Sequence, residues 1–205
     1  MSARNRLYSD LSKLYLHLSK DRDFDAEVDT LGVPDRASAR YCELFAGPAY
    51  HSLALMRRGW AGQAWAVDNS AEMRAIALDE GFAPADHYLQ MDATAALRRL
   101  YDESVQFDVI SAMRYSLGLV EPAAFHEMMG LCGALLAPGG RLMVESHRMD
   151  LLTDDLADMD IRTRRFQDEA GRWVTCVWPS GRFEWDRENW RVTMPIDLDD
   201  GAGTR

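Results

Sequence analysis

With 205 residues and 47% hydrophobic content, the chain is long enough for one domain with a packed core and a small appendage. Its 33 acidic residues outnumber its 23 basic ones, which gives a formal net charge of -10. We therefore expect no nucleic-acid partner and no anionic membrane surface as a partner, because both require a basic face.

The N-terminus lacks the apolar segment of a signal peptide, and no apolar run approaches membrane-spanning length. The three cysteines lie in apolar stretches and read as buried thiols in a reducing compartment: Cys42, Cys132 and Cys176. We therefore expect a soluble, cytoplasmic protein without a disulfide framework or a metal site.

The first part of the chain is predicted to be helical. Its leucines recur at helical spacing, at Leu7, Leu11, Leu14 and Leu18. Tyr8 and Tyr15 are seven residues apart, so they lie near each other on this helix. The polar residues 21–23 interrupt the pattern, a second short helix is predicted up to Leu31, and a turn follows from Gly32.

From residue 41 the pattern alternates between strands and helices. Strands are predicted at 41–45, 63–67, 88–91, 107–111 and 141–145. Helices are predicted at 51–59, from Asn69 with Glu72 completing a capping box, at 93–100, and from Pro122. The last of these shows one apolar face, which comprises Phe125, Met129, Cys132 and Leu136. This order predicts an α/β fold with a Rossmann-like, mostly parallel sheet and helices on both faces.

The pattern of apolar and polar residues changes after Asp150. Residues 172–178 and 190–194 alternate like antiparallel strands, whereas the basic run 162–165 is interpreted as a solvated face. Residues 199–201 resemble a hairpin turn, yet only four residues follow it. We predict three parts: an N-terminal helical lid (1–34), a core (35–150) and a small, incomplete antiparallel β extension (151–205). The open edge of that extension predicts self-association or a partner chain.

Acidic residues end three successive predicted strands, and these are Glu43, Asp68 and Asp92. Strand ends of a parallel sheet line one edge, where such folds bind ligands. A carboxylate at Asp68 can accept both hydroxyls of a ribose, which points to an adenosine-containing ligand. Considered singly, Asp68 and Asp92 are also explained as helix caps.

The order of these motifs resembles class I S-adenosylmethionine-dependent methyltransferases. Residues 43–49, Glu-Leu-Phe-Ala-Gly-Pro-Ala, stand where that family has an acid followed by Gly-x-Gly-x-Gly, with Phe45, Gly47 and Ala49 at the glycine positions. Residues 136–142 match the family's Leu-x-Pro-Gly-Gly lead into its fifth strand. The chain looks closest to a small-molecule branch with this first motif and, more loosely, to amino-sugar N-methyltransferases. The family normally continues well past a point like Arg205.

The resemblance implies S-adenosyl-L-methionine as cofactor and methyl transfer to a nitrogen or oxygen of a small molecule. It implies a cofactor-binding set comprising Tyr8, Glu43, Phe45, Ala46, Gly47, Ala49, Asp68, Asn69, Asp92, Ala93 and Ser111. Asp68 matches the ribose-binding acid, and Asp92 matches the residue that bonds the adenine amino group. The candidate catalytic residues are Tyr15, Arg114, Tyr115 and His147.

Two other functions remain open from the sequence. A non-catalytic relative that serves as a partner or regulatory subunit is favoured by the poor glycine motif and the short C-terminus. A nicotinamide-dependent oxidoreductase also places an acid after its second strand. That class needs Gly-x-Gly-x-x-Gly, however, and Gly47 is the one glycine in the turn.

Overall fold

The computed structural model describes Tyr8 and residues 12–19, 22–146, 162–168, 171–178, 180, 184–186, 188, 191–193 and 196–199. The chain divides into two compact units. The first comprises residues 1–15 and 21–146, and the second comprises residues 16–20 and 147–205.

A five-stranded parallel sheet forms the centre of the first unit. Its strands are β1 (Arg40–Leu44), β2 (Gln63–Asp68), β3 (Tyr88–Gln90), β4 (Phe107–Ala112) and β5 (Leu136–Val144). They lie in the order β3-β2-β1-β4-β5, so the order reverses at β1. The carboxyl ends of β1 and β4 flank the crevice at this reversal, where open α/β sheets bind their ligands.

Helices cover both faces of this sheet. They are α2 (Phe24–Leu31), α3 (Tyr50–Arg57), α4 (Ala71–Asp79), α5 (Ala93–Asp102) and α6 (Pro122–Leu135), and a further helix, α1 (Ser12–Ser19), precedes them in the chain. One apolar cluster joins Cys42 and Leu44 of β1 to Leu97 of α5 and Cys132 of α6. The other joins alternate strand residues such as Tyr41 to residues of α2, α3 and α4. The predicted fold class is confirmed.

Helix α2 belongs to the core of the first unit. The Asp23 carboxylate accepts a hydrogen bond from the backbone N–H of Ala26 as N-cap, and Gly32 ends the helix in the left-handed conformation at φ 59°. Val28 and Leu31 are 3% and 0% exposed. Helix α2 therefore contributes buried residues to the core of the first unit, and the prediction that residues 1–34 form a lid stays a prediction.

Three local predictions are corrected. Ser70, and not Asn69, caps α4, because its hydroxyl accepts from the backbone N–H of Met73. The Glu72 carboxylate instead lies 3.1 Å from the Ser70 hydroxyl. Strand β5 starts at Leu136, earlier than predicted, with a register irregularity opposite Phe107–Val109. The fully buried residues of α6 are Met128, Cys132 and Leu135, so Phe125 and Met129 are not the centre of its apolar face.

The second unit contains short antiparallel strands. Strands β6 (Arg162–Gln167), β7 (Trp173–Trp178) and β10 (Asp197–Asp199) form one sheet in the order β10-β7-β6. Strands β8 (Glu184–Asp186) and β9 (Arg191–Thr193) form a hairpin pair. The basic run 162–165 therefore lies in a strand, and the Arg165 guanidinium stacks on the Trp173 ring at 4.6 Å. Gly201 of the predicted turn lies outside the described residues, and the self-association stays a prediction.

Candidate active site

The turn after β1 adopts a left-handed backbone at three positions, only one of which is glycine. Phe45, Gly47 and Ala49 have φ angles of 53°, 51° and 57°. These are the three positions at which the resemblance places glycine, so the conformation is kept although two side chains differ. The turn is tied down by the Ala46 N–H, which donates to the Val67 carbonyl at 2.9 Å, and by the Ala49 N–H, which donates to the Ala46 carbonyl.

Glu43 caps the helix that follows this turn. Ala49 is the N-cap residue of α3 and has no side chain that can cap the helix. The Glu43 Oε2 atom does so instead, because it accepts from the Ser52 N–H at 3.0 Å and from the Ser52 hydroxyl at 2.7 Å. Its Oε1 atom lies 2.7 Å from His51 Nδ1. Both carboxylate oxygens are thus hydrogen-bonded inside the fold, so Glu43 fixes the start of α3, which follows the turn of the predicted cofactor site.

Gly47 is placed by both its backbone groups. Its N–H donates to Asp68 at 2.8 Å, and its carbonyl accepts from the Tyr88 hydroxyl at 2.5 Å. A Cβ atom at this position would meet only the Met73 sulfur, at 3.9 Å, so backbone strain and not crowding decides the effect of a substitution.

We expect Gly47→Ala to lower the free energy of unfolding by about 1–2 kcal/mol, because an L-residue is strained at this φ. The matched control is Gly133→Ala in α6, where a Cβ atom meets nothing within 4 Å. There alanine should stabilise by about 0.5–1 kcal/mol through its higher helix propensity. Urea unfolding of both variants tests this, and equal effects would contradict it.

Asp68 lies at the carboxyl end of β2 and faces the turn. Its Oδ2 atom accepts from the Gly47 N–H, and its Oδ1 atom accepts from the Ser70 N–H at 2.9 Å. Burial raises the pKa of this carboxyl, and the backbone N–H groups of Ser70 and Gly47 oppose that rise. The remaining lone pairs of the two oxygens can accept further hydrogen bonds.

Two tyrosines and an arginine lie on the same side as Asp68. The Tyr8 and Tyr15 rings meet edge to face with centroids 5.2 Å apart, and the Arg114 guanidinium carbon lies 5.0 Å from the Tyr15 centroid. The Ser70 hydroxyl donates to the Tyr8 carbonyl at 2.7 Å. Burial, with a contribution from Tyr15, raises the pKa of Tyr8 to about 12. Burial also raises the pKa of Tyr15, so both phenols stay protonated at neutral pH.

The turn after β4 carries the other catalytic candidates. Arg114 and Tyr115 both adopt left-handed backbone at φ 59°, and a short 3-10 helix follows from Ser116 to Leu119. Tyr115 is 37% exposed. The Arg114 N–H donates to Glu145 at 2.7 Å, which links this turn to the end of β5.

The remaining predicted residues differ in exposure and in hydrogen-bond partners. Ser111 is fully buried, its hydroxyl is 2.6 Å from the Tyr41 hydroxyl, and its contact with the cofactor stays a prediction. Asp92 is exposed and caps α5 through the Ala95 N–H at 3.0 Å. Asn69 is exposed, whereas Ala93 is buried at the start of α5. His147 lies outside the described residues.

The structure also contains a network that the sequence did not suggest. His51 is 2% exposed, and its Nε2 atom lies 2.8 Å from Glu27, opposite its contact with Glu43. Glu27 accepts from Arg22 at 2.5 Å, and Arg22 donates to Glu145 at 3.0 Å. No sequence motif marks these pairs, and the Arg22–Glu145 pair joins residues 123 positions apart.

The network gives a pH dependence of stability. Burial lowers the pKa of His51, but the carboxylates of Glu43 and Glu27 raise it by more, so the net shift is upward. A raised folded-state pKa means that the stabilisation is complete below the unfolded value of about 6.5 and is lost as pH rises through the folded value. Thermal unfolding should therefore show a melting temperature that falls with pH above this value.

The slope should disappear in His51→Gln and persist in His126→Gln, whose histidine is exposed. Comparing slopes separates the titration from any overall loss of stability in the variants. An unchanged slope in His51→Gln would show that another group causes the dependence.

The chemical character of the site comes from its polar side chains. Among residues that the structure describes, no group of three or more His, Cys, Asp or Glu side chains can hold a metal ion. The site offers a carboxylate acceptor, two protonated phenols and a guanidinium at the edge of a parallel sheet. Within the same described residues, none of the helices is long and apolar enough to cross a membrane.

Comparison with known families decides the class of protein. The model of a methyltransferase domain matches residues 15–189, which is most of the chain. The chain belongs to this methyltransferase family. The motifs in the sequence and the observed sheet identify this methyltransferase as one of class I. Among curated proteins, none matches the sequence.

Solved structures share the fold of this methyltransferase. SAM-bound CalS10, an amino pentose methyltransferase from Micromonospora echinaspora, is 18% identical with a TM-score of 0.60, over 93% of this chain and 76% of that one. DesVI from Streptomyces venezuelae is 19% identical with a TM-score of 0.62, over 96% and 78% of the two chains. The sugar N-methyltransferase KedS8 from Streptoalloteichus is 20% identical with a TM-score of 0.64, over 95% and 74%.

Proposed function

We propose that this methyltransferase transfers a methyl group from S-adenosyl-L-methionine to a nitrogen or oxygen of a small molecule. The observation that carries the proposal is the position of Asp68 at the carboxyl edge of the sheet. There its carboxylate accepts from the Gly47 N–H and lies among Tyr8, Tyr15 and Arg114. A carboxylate in this setting fits the two hydroxyls of a ribose.

The residues present fit the cofactor. S-adenosyl-L-methionine supplies an activated methyl group on a sulfonium, so the protein has to align the partners and exclude water. Asp68 binds the ribose, and the turn from Phe45 to Ala49 lies next to it. Tyr8 and Tyr15, which remain neutral, offer electron-rich ring faces that attract a cation. In this proposal the Asp92 carboxylate retains an oxygen for the adenine amino group while it caps α5.

An amine is the preferred acceptor in this proposal. The similar structures include an amino pentose methyltransferase and a sugar N-methyltransferase, and a neutral amine is a good nucleophile toward a sulfonium. Arg114 and Tyr115 follow β4, and the resemblance to class I methyltransferases places the methyl acceptor after this strand. Release of the amine proton to solvent completes the transfer.

The test uses D-glucosamine and D-glucose as matched probe acceptors, each incubated with S-adenosyl-L-methionine and the protein. Mass spectrometry of the products should show one added methyl group on D-glucosamine and none on D-glucose. Methylation of both sugars would assign oxygen as the acceptor atom. Binding of the cofactor without methylation of either sugar would contradict the amino-sugar preference.

A second candidate is a non-catalytic partner subunit. The observation that favours it is the replacement of two expected glycines by Phe45 and Ala49, which places side chains in a left-handed turn beside the cofactor site. Such a protein binds S-adenosyl-L-methionine without consuming it. Prolonged incubation with a broad set of small amines and alcohols, without formation of S-adenosylhomocysteine, would favour this candidate.

A further inference from the structure

Two consecutive residues after β4 adopt a backbone conformation that their side chains disfavour. Arg114 and Tyr115 are not glycines, yet both have φ angles of 59°. Left-handed residues of this kind persist only where the surrounding structure holds them, and they cluster at functional sites. Something outside the turn must therefore fix it.

Glu145 holds the turn in place. Its Oε2 atom accepts from the Arg114 N–H at 2.7 Å and from the Arg22 guanidinium at 3.0 Å. Its own N–H donates to the Ala112 carbonyl at 3.1 Å, so the residue is anchored beside the end of β4. Burial raises the pKa of the Glu145 carboxyl, but Arg22 and the Arg114 N–H lower it by more, which keeps it ionised.

Arg22 extends this link to the other side of the crevice. Its Nε atom donates to Glu27 at 2.5 Å, and Glu27 contacts His51, which in turn contacts Glu43 at the end of β1. The side chains of Arg22 and Glu145 are 23% and 21% exposed, so water weakens their attraction only in part. One continuous chain of hydrogen bonds thus joins the two turns that border the crevice.

We propose that Glu145 is a positioning residue of this methyltransferase, which holds Arg114 and Tyr115 toward the acceptor, with Arg22 as the residue that keeps Glu145 in place. The inference rests on the proposed function for its catalytic meaning. When Glu145 loses the oxygen that accepts from the Arg114 N–H, we expect the turn at Arg114 and Tyr115 to lose its left-handed conformation.

Three variants distinguish the two hydrogen bonds that the Glu145 side chain accepts. Glu145→Ala removes both, whereas Glu145→Gln keeps a carbonyl oxygen for the Arg114 N–H and loses the charge that attracts Arg22. Arg22→Gln removes the charge on the other side. The control is Glu103→Ala, which removes an exposed carboxylate paired with Arg99 one helical turn away.

The first measurement is hydrogen exchange of the Arg114 backbone amide. We expect exchange at least about tenfold faster in Glu145→Ala than in the wild type, because its acceptor is lost. Glu145→Gln should restore most of the protection, and Glu103→Ala should not change it. Unchanged exchange in Glu145→Ala, or an equal increase throughout the core of the first unit, would overturn the proposal.

The second measurement is methyl transfer to D-glucosamine together with calorimetry of S-adenosyl-L-methionine. Glu145→Ala should lower kcat/KM about tenfold or more and change the cofactor Kd less than about threefold. Partial rescue by Glu145→Gln supports positioning, whereas loss of cofactor affinity in proportion to activity would overturn it. If the wild type does not bind the cofactor, the proposed function fails, and the exchange experiment still decides whether Glu145 holds the turn.

Discussion

Asp68→Ala is expected to weaken the binding of S-adenosyl-L-methionine about a hundredfold. The Asp68 carboxylate is the acceptor that we assign to the ribose hydroxyls, and each charge-assisted hydrogen bond contributes about 1.5–3 kcal/mol. Loss of about 2.7 kcal/mol corresponds to a factor of a hundred in Kd. Isothermal calorimetry of the wild type and the variant measures this directly.

Two controls make the Asp68 result specific. Asp79→Ala removes an exposed carboxylate from the end of α4 and should leave Kd unchanged. Asp68→Asn keeps the shape but loses the charge, so its affinity should lie between those of the wild type and Asp68→Ala. Equal Kd values for the wild type and Asp68→Ala would remove Asp68 from the binding site.

Cofactor affinity should also depend on pH through Asp68. In the proposed complex the ionised carboxylate accepts both ribose hydroxyls, and burial raises its pKa in the free protein. Affinity should therefore fall as the solution is acidified, beginning at a higher pH than for an ordinary aspartate.

Glu43→Ala is expected to lower the free energy of unfolding by about 3–5 kcal/mol. The substitution leaves a buried histidine without one of its two carboxylates, and it leaves the Ser52 N–H and hydroxyl without their acceptor. Total stabilities of about 5–15 kcal/mol are typical of single domains, so this loss is a large fraction. Denaturant unfolding followed by circular dichroism gives the number.

The matched control for Glu43 is Glu103→Ala. Glu103 pairs with Arg99 on the surface of α5, where both side chains are about half exposed, and such pairs contribute about 0.3–0.5 kcal/mol. A loss below about 1 kcal/mol in Glu43→Ala, accompanied by weaker cofactor binding, would contradict the supporting role. It would make Glu43 a direct ligand residue, as the sequence alone suggested.

The sheet was predictable because its signal is local. Short apolar runs such as 63–67, followed by amphipathic helices, identify βαβ units, and the acids at Glu43 and Asp68 mark their carboxyl ends. Boundaries shifted by a few residues where local signals compete, as between Asn69 and Ser70 for the cap of α4. The register irregularity that moved the start of β5 depends on pairing with β4, which no local pattern encodes.

The direction of each acidic side chain was less predictable. Glu43 and Asp68 look alike in the sequence, but Glu43 lies under α3, with both oxygens bonded to His51 and Ser52. Asp68 instead is bonded to two backbone N–H groups at the crevice. The ends of helices decide this difference: Ala49 cannot cap α3, so Glu43 supplies the missing acceptor.

The link between the two turns was not predictable at all. Arg22 and Glu145 are 123 positions apart, and neither is among the residues predicted to bind the cofactor or to act in catalysis. Their contact depends on the tertiary fold, which no local pattern encodes. Conversely, the sequence has Phe45 and Ala49 where the family has glycine, which suggested a turn of different conformation. The backbone nevertheless keeps the left-handed conformation at both positions.

The most direct test of the account is a calorimetric titration of the purified protein with S-adenosyl-L-methionine. We expect saturable binding of one cofactor per chain with a Kd in the micromolar range. Absence of saturable heat up to millimolar cofactor would contradict it, because the crevice at Asp68 would then not be a site for S-adenosyl-L-methionine.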